Sequence, residues 1–201
     1  LKMKKISLVL ILFLLIFKTS LANTYSSDPQ MFVQELVNDA ISKLSDKNLD
    51  KEEKANFIRN VAVENVDIDA LGLYTLGELR KSAEKNDIAR YQLAFKEYFL
   101  KSLTSRLTDY SSNKFEVIEA EKKSSNYTII KSKIAKTENQ PEIKIDWRIY
   151  TKNPDKPLIR DLIVEGLSLA RTQKEEFTSI LNSNDNDINI LIKKLEEFVK
   201  N

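Results

Sequence analysis

Two of the side-chain types that most often do acid–base or covalent chemistry are missing from this sequence. Its 201 residues contain no cysteine and no histidine. That removes thiolate nucleophiles, disulfides, the commonest metal ligands and every serine–histidine arrangement. A carboxylate is one general base that remains. Asp161 and Glu165 lie on the polar side of one strand-like run, next to Gly166. An isomerase or hydratase built on them would need a second poised group; without one they read as polar groups satisfied by backbone. Asp185 and Asp187, close to Asn184 and Asn186, resemble a fragment of a calcium loop, but the glycine and closing glutamate are missing and a helix cap explains them. Lys131, Lys133 and Lys144 could attract a phosphate or dock a partner, although a solvated strand face accounts for them more simply. Asn126-Tyr127-Thr128 fits a glycosylation acceptor, a signal of low specificity. No cofactor and no metal site is expected.

The elements that position these groups centre on Trp147 to Phe177. Two strand-like runs flank a turn holding Asn153, Pro154, Asp155 and Pro157. The second, Leu158 to Leu169, passes through Gly166, one of only three glycines. A glycine inside an apolar strand marks a bulge or a close backbone approach. Thr172 and Glu175 have the spacing of a capping box, and Phe177, Ile180 and Leu181 begin a helical pattern.

Ahead of this stretch, Asp28-Pro29 opens a helix with Phe32, Leu36, Ala40 and Leu44 on one side. Asp50 with Glu53 opens a second, carrying Phe57, Val61 and Val63. Asp67 to Arg80, interrupted by Gly72 and Gly77, reads as one or two short helices with close packing or a kink at the glycines. Asp87 starts the longest helix, to about Tyr110, with Ile88, Tyr91, Phe95, Phe99, Leu103 and Leu107 in a stripe widened by Tyr98 and Leu100. After Ser111 and Ser112 come strand-like runs at Phe115 to Ala120, Tyr127 to Ala135 and Ile143 to Tyr150, joined too tightly for crossover helices. Ile143, Ile145, Trp147 and Ile149 alternate with Lys144, Asp146, Arg148 and Tyr150. Asp187 caps a last helix whose apolar side is Ile188, Leu191, Ile192, Leu195 and Phe198. Helices, a curved antiparallel sheet, then two helices make an α+β domain.

The N-terminus reads as an export signal. Lys2, Lys4 and Lys5 precede an apolar run, Ile6 to Phe17, too short to span a bilayer comfortably, and Ser20-Leu21-Ala22 places cleavage after Ala22. An uncleaved anchor is the competing reading, disfavoured by length. The organisation expected is a signal peptide at 1–22 and a single domain at 23–201, exported across the inner membrane; the periplasm as its destination is what the resemblance given below implies. Losing four lysines and no acids with that segment turns the formal net charge from +2 to −2. A near-neutral chain has no electrostatic reason to bind nucleic acid.

LGELRKS…YQLAFKEYFLKSLTSRLTDY…FEV, followed by DWRIY…IRDLIVEGLSLARTQKEEFTSIL, resembles the MlaC family (the toluene-tolerance, or Ttg2D-like, periplasmic phospholipid-binding proteins). The resemblance runs from about Asp28 to the C-terminus and is sharpest at VEGLSLARTQKEEF and at Leu76, Gly77 and Arg80. Leu79 stands where the family often has an aromatic, and Lys85-Asn86 where it has a Thr-Pro turn; both touch local helix geometry. The resemblance implies an NTF2-like fold of about four antiparallel strands against several helices, with an apolar cavity between them for one diacyl phospholipid. It implies a monomeric shuttle maintaining outer-membrane lipid asymmetry, partnered by an outer-membrane lipoprotein complex and an inner-membrane ABC transporter with an MCE-domain subunit.

Such a role is physically coherent. Two acyl chains hold roughly 30 methylenes, each worth about 0.8 kcal/mol on leaving water, so a bare lipid faces a barrier on the order of 25 kcal/mol. A carrier replaces most of that contact with its own wall, and a cavity gripping only tails needs no charged group. The resemblance sets the strands beside the pocket, so Ile130, Ile145, Trp147, Leu162 and Val164 are candidate tail contacts, each equally readable as core. Tyr98 and Phe99 of the long helix complete the set, though they read first as core. An enzyme with a carboxylate base, or a ligand-free adaptor of an envelope ABC transporter with a filled core, are the alternatives.

Overall fold

The computed structural model describes residues 25–108, 114–138 and 141–201. The expected signal peptide at 1–22 and the expected helix end at Tyr110 lie outside the described residues. Among the described residues, six α-helices and five strands follow in the order α1 Pro29–Ser45, α2 Lys51–Asn65, α3 Ile68–Thr75, a short 3-10 helix Gly77–Lys81, α4 Lys85–Leu107, β1 Phe115–Lys122, β2 Tyr127–Ile134, β3 Ile143–Tyr150, β4 Leu158–Val164, β5 Leu167–Ser168, α5 Leu169–Asn182 and α6 Ile188–Lys200. The strands form one open antiparallel meander, β1-β2-β3-β4-β5, packed against the helices as an α+β domain. Among the described residues, no helix is long and apolar enough to cross a membrane.

Side-chain caps set most helix starts. Asp28 accepts hydrogen bonds from the Gln30 and Met31 amides at 3.0 and 2.9 Å, and Asp50 and Glu53 complete a capping box. Asp187 caps α6, and Asp185 and Asn186 before it are both left-handed, at φ 53° and 58°. Two expected starts move. The longest helix begins at Lys85, with Asp87 inside its first turn and no side-chain cap at Glu84. The fifth begins at Leu169, because the Ser168 hydroxyl accepts from the Arg171 amide at 3.0 Å. Thr172 is therefore already helical and donates to the Ser168 carbonyl, while Glu175 pairs with Arg171 instead of closing a box.

Gly166 is not a bulge in one long strand. Glu165 and Gly166 have φ of 50° and 81°, and Val164 pairs with Leu167, so the two residues form the tight hairpin turn that separates β4 from β5. The sheet's irregularities lie elsewhere: Ile118 is the extra residue in β1, and Arg160 the extra residue in β4. In α2 the buried apolar side chains are Ile58 and Ala62, whereas Val63 is exposed. Gly72 is a close approach, since a Cβ there would stand 3.0 Å from the Phe95 ring.

The apolar interior divides in two. One cluster joins α3, α4, α5 and α6 through Tyr91, Phe95, Leu100, Phe177, Leu191 and Leu195. The other seats Phe32, Val33 and Leu36 of α1 on Ile130, Trp147, Ile149 and Ile159 of the sheet. Val66, between α2 and α3, packs against both. Its bridge to Ile159, and the Asp67 amide donating to the Ile159 carbonyl at 2.9 Å, tie the helical half to β4.

Candidate functional site

The register of the sheet decides which candidate residues meet. Trp147 is paired across the strands with Ile130 on one side and Leu162 on the other, and Ile145 with Ser132 and Val164. The five strand candidates therefore form one contiguous patch on the face that α1 covers. Their exposure is graded. Ile149 and Ile130 are fully buried and Trp147 is 8% exposed, whereas Ile145, Leu162 and Val164 are only half-buried, and Leu167, paired with Val164, is 60% exposed. An apolar face thus runs unbroken from the core to the surface.

Tyr98 and Phe99 are not part of that patch. They pack, half-buried, against the helical cluster. The Tyr98 ring lies 4.9 Å from Phe198 and 5.8 Å from Phe177, and its hydroxyl donates to Gln173 Oε1 at 3.0 Å. The Phe99 ring stacks on Phe95 at 6.2 Å. Two hollows among the described residues are lined by other side chains than the seven candidates. A cavity of about 760 Å³ lies between α3 and α5, bounded by polar groups including Arg171, Lys174, Thr178 and Asn182. A second, of about 180 Å³, is bounded by Val66, Asp67, Lys96 and Lys156 among others. The contact between the sheet and its helices is closed at Ile130 and Ile149, both 0% exposed.

The carboxylates that could have served as bases are committed to structure. Asp161 is 6% exposed and sits on the opposite face of β4 from Leu162; it accepts from the Ala170 amide at 3.0 Å and the Ser168 hydroxyl at 2.6 Å. It fastens the start of α5 to the sheet. Glu165, in the hairpin turn, accepts from the Lys144 amide. Lys131 bonds Glu119 at 2.6 Å, and Lys133 lies 3.3 Å from Glu142 and 3.7 Å from Glu116. These hydrogen bonds and charges hold both ammonium groups above the usual lysine range. Among the described residues, no group of three or more His, Cys, Asp or Glu side chains could hold a metal ion.

Two features escaped sequence reasoning. Ser132, 1% exposed within the apolar patch, hydrogen-bonds the Trp147 indole; only its inward position in β2, two residues from Ile130, hinted at it. Arg160 lies over the Tyr150 ring at 3.4 Å, donates to the Tyr127 hydroxyl at 2.6 Å and pairs with Asp67 at 2.7 Å. Burial opposes its charge, yet the bonds to Tyr127 and Asp67 outweigh this and raise its pKa. A bulge turns Arg160 to the outer side, and a simple alternation does not reveal it.

The layering defines the class: an α+β domain whose open meander offers one apolar face to covering helices. A search of curated proteins finds no match. The family model described as MlaC protein matches residues 33–197; the chain belongs to the MlaC family. In fold it is similar to the phospholipid-binding protein from Ralstonia solanacearum, solved in complex with a phospholipid. The TM-score is 0.69 at 18% sequence identity, over 85% of this chain and 96% of that one.

Proposed function

We propose that this chain binds a diacyl phospholipid, its tails against the inner sheet face at Ile130, Ile145, Trp147, Leu162 and Val164. The observation that carries this is the unbroken apolar face, graded from sealed at Ile149 to exposed at Leu167. A tail sliding inward along such a strip exchanges water for carbon at every step. Membership of the MlaC family and the phospholipid held by the Ralstonia relative support the same reading. Tyr98 and Phe99, packed on Phe95, Phe177 and Phe198 in the helical cluster, stand apart from these tail contacts.

On this reading the protein is a monomeric periplasmic shuttle, released by cleavage near Ala22. It exchanges lipid with an outer-membrane lipoprotein complex and an inner-membrane ABC transporter carrying an MCE-domain subunit, sustaining outer-membrane asymmetry. It binds and does not turn over: neither Asp161 nor Glu165 faces the strip, and both are engaged by structural donors. Native mass spectrometry of protein purified from the periplasm should find one phospholipid mass per chain. Repeated lipid-free preparations would refute the reading. They would favour instead the ligand-free adaptor, which the closed contact at Ile130 and Ile149 also fits.

A further inference from the structure

Ser132 is the polar residue at the centre of the apolar face, and both capacities of its hydroxyl are used. It donates to the Ile145 carbonyl at 2.7 Å and accepts from Trp147 Nε1 at 2.9 Å. An indole N–H among hydrocarbon neighbours must find an acceptor, or its desolvation goes uncompensated. Ser132 supplies that acceptor from the adjacent strand, so the polar edge of the ring turns toward the sheet. The rest of the ring is braced by Phe115, edge-on at 6.2 Å, and by its cross-strand neighbours Ile130 and Leu162. Held this way, the indole presents carbon to whatever lies on the face.

We propose that Ser132 is a positioning residue for lipid binding: it locks the Trp147 indole into a deep seat for the methyl end of an acyl chain. The inference rests on the phospholipid reading and adds to it a depth and a direction. Trp147 is 8% exposed, while Ile145, Leu162 and Val164 around it are half-buried. A chain that reaches the ring has first passed those three residues, so it arrives methyl end first.

Trp147 is the only tryptophan, which gives the seat its own spectroscopic signal. The full chain is loaded from phosphatidylglycerol vesicles whose acyl chains carry bromine near either the carboxyl or the methyl end. Bound lipid is counted by native mass spectrometry, and quenching of Trp147 is read in parallel. Methyl-end bromine should quench strongly and carboxyl-end bromine weakly. Ser132→Ala leaves the indole N–H unpaired; its emission should shift from the parent's, and lipid retention should fall by up to about tenfold because a loosened ring must be ordered again on binding. Ser132→Thr keeps the hydroxyl and should behave as the parent, whether or not the alanine variant folds. Ser132→Ala combined with Trp147→Phe leaves no orphaned donor, and should recover retention. Lipid present by mass with no quenching, or with equal quenching from both positions, would overturn the seat while leaving phospholipid binding intact. A Ser132→Ala variant that retains lipid and fluoresces like the parent, or a double variant without recovery, would overturn the role of Ser132. Failure of the parent chain to take up lipid would remove the underlying reading as well.

Discussion

Asp67 performs two structural tasks with its two carboxylate oxygens, and substitution separates them. Oδ1 accepts from the Ala70 amide at 3.3 Å and caps α3, while Oδ2 receives Arg160 Nε at 2.8 Å and Nη2 at 2.7 Å. The two side chains are 19% and 26% exposed. An exposed ion pair contributes about 0–1 kcal/mol, and breaking a fully buried one costs about 3–5 kcal/mol. At this exposure, with Arg160 still resting on Tyr150, Asp67→Asn should cost about 2 kcal/mol. Asp67→Ala also removes the cap, worth about 1 kcal/mol, for a total of about 3 kcal/mol. In a domain of this size each kcal/mol lowers Tm by about 2–4 °C. Urea unfolding followed through Trp147, in the sheet cluster, reports both variants. Asp67→Asn within about 0.5 kcal/mol of the parent would refute a structural role for the pair. Equal losses in the two variants would refute the cap.

Three further outcomes are expected. Ser168→Ala removes the α5 cap and one donor to the buried Asp161, so it should cost about 2 kcal/mol, against less than about 1 kcal/mol for Thr172→Ala, in chemical denaturation. Burial holds the Tyr91 phenol above its usual range, outweighing its bond to Thr75. The folded state therefore keeps that proton after the unfolded chain has lost it. Stability from this group is intact below about pH 10 and declines as pH rises further, so Tyr91→Phe should flatten the alkaline limb of a pH titration of unfolding free energy. Gly72→Ala gains about 1 kcal/mol of helix propensity but drives a methyl into Phe95, at about 1–3 kcal/mol. A lowered urea midpoint, recovered when Phe95 is shortened to leucine, is the expected result.

Strand periodicity carried most of the architecture. The alternation Ile143, Ile145, Trp147, Ile149 places β3 and its inner face correctly, and Asp28, Asp50 and Asp187 mark their helices because each cap is a local hydrogen bond. Non-local or competing features were hidden. Gly166 in an apolar run looks the same whether it bends a strand or turns a hairpin; pairing of Val164 with Leu167 decides. Thr172 and Glu175 satisfy a capping pattern, but Ser168 lies nearer the end of the strand and captures the helix first. The candidate patch was legible as far as register was: five residues on neighbouring strands fall together, whereas Tyr98 and Phe99 share only their apolar character with them. Arg160 was invisible because a bulge shifts the parity of its strand.

The extra residue in β1 has a bearing on solubility. β1 ends the meander, so one row of its amides and carbonyls faces outward, an invitation for another chain to add itself. The irregularity at Ile118 interrupts that row, and the exposed Glu116, Glu119 and Lys122 place charge along it. A protein without a single disulfide thereby keeps its rim from seeding stacked assemblies, and straightening the strand by deleting Ile118 would leave a stickier edge.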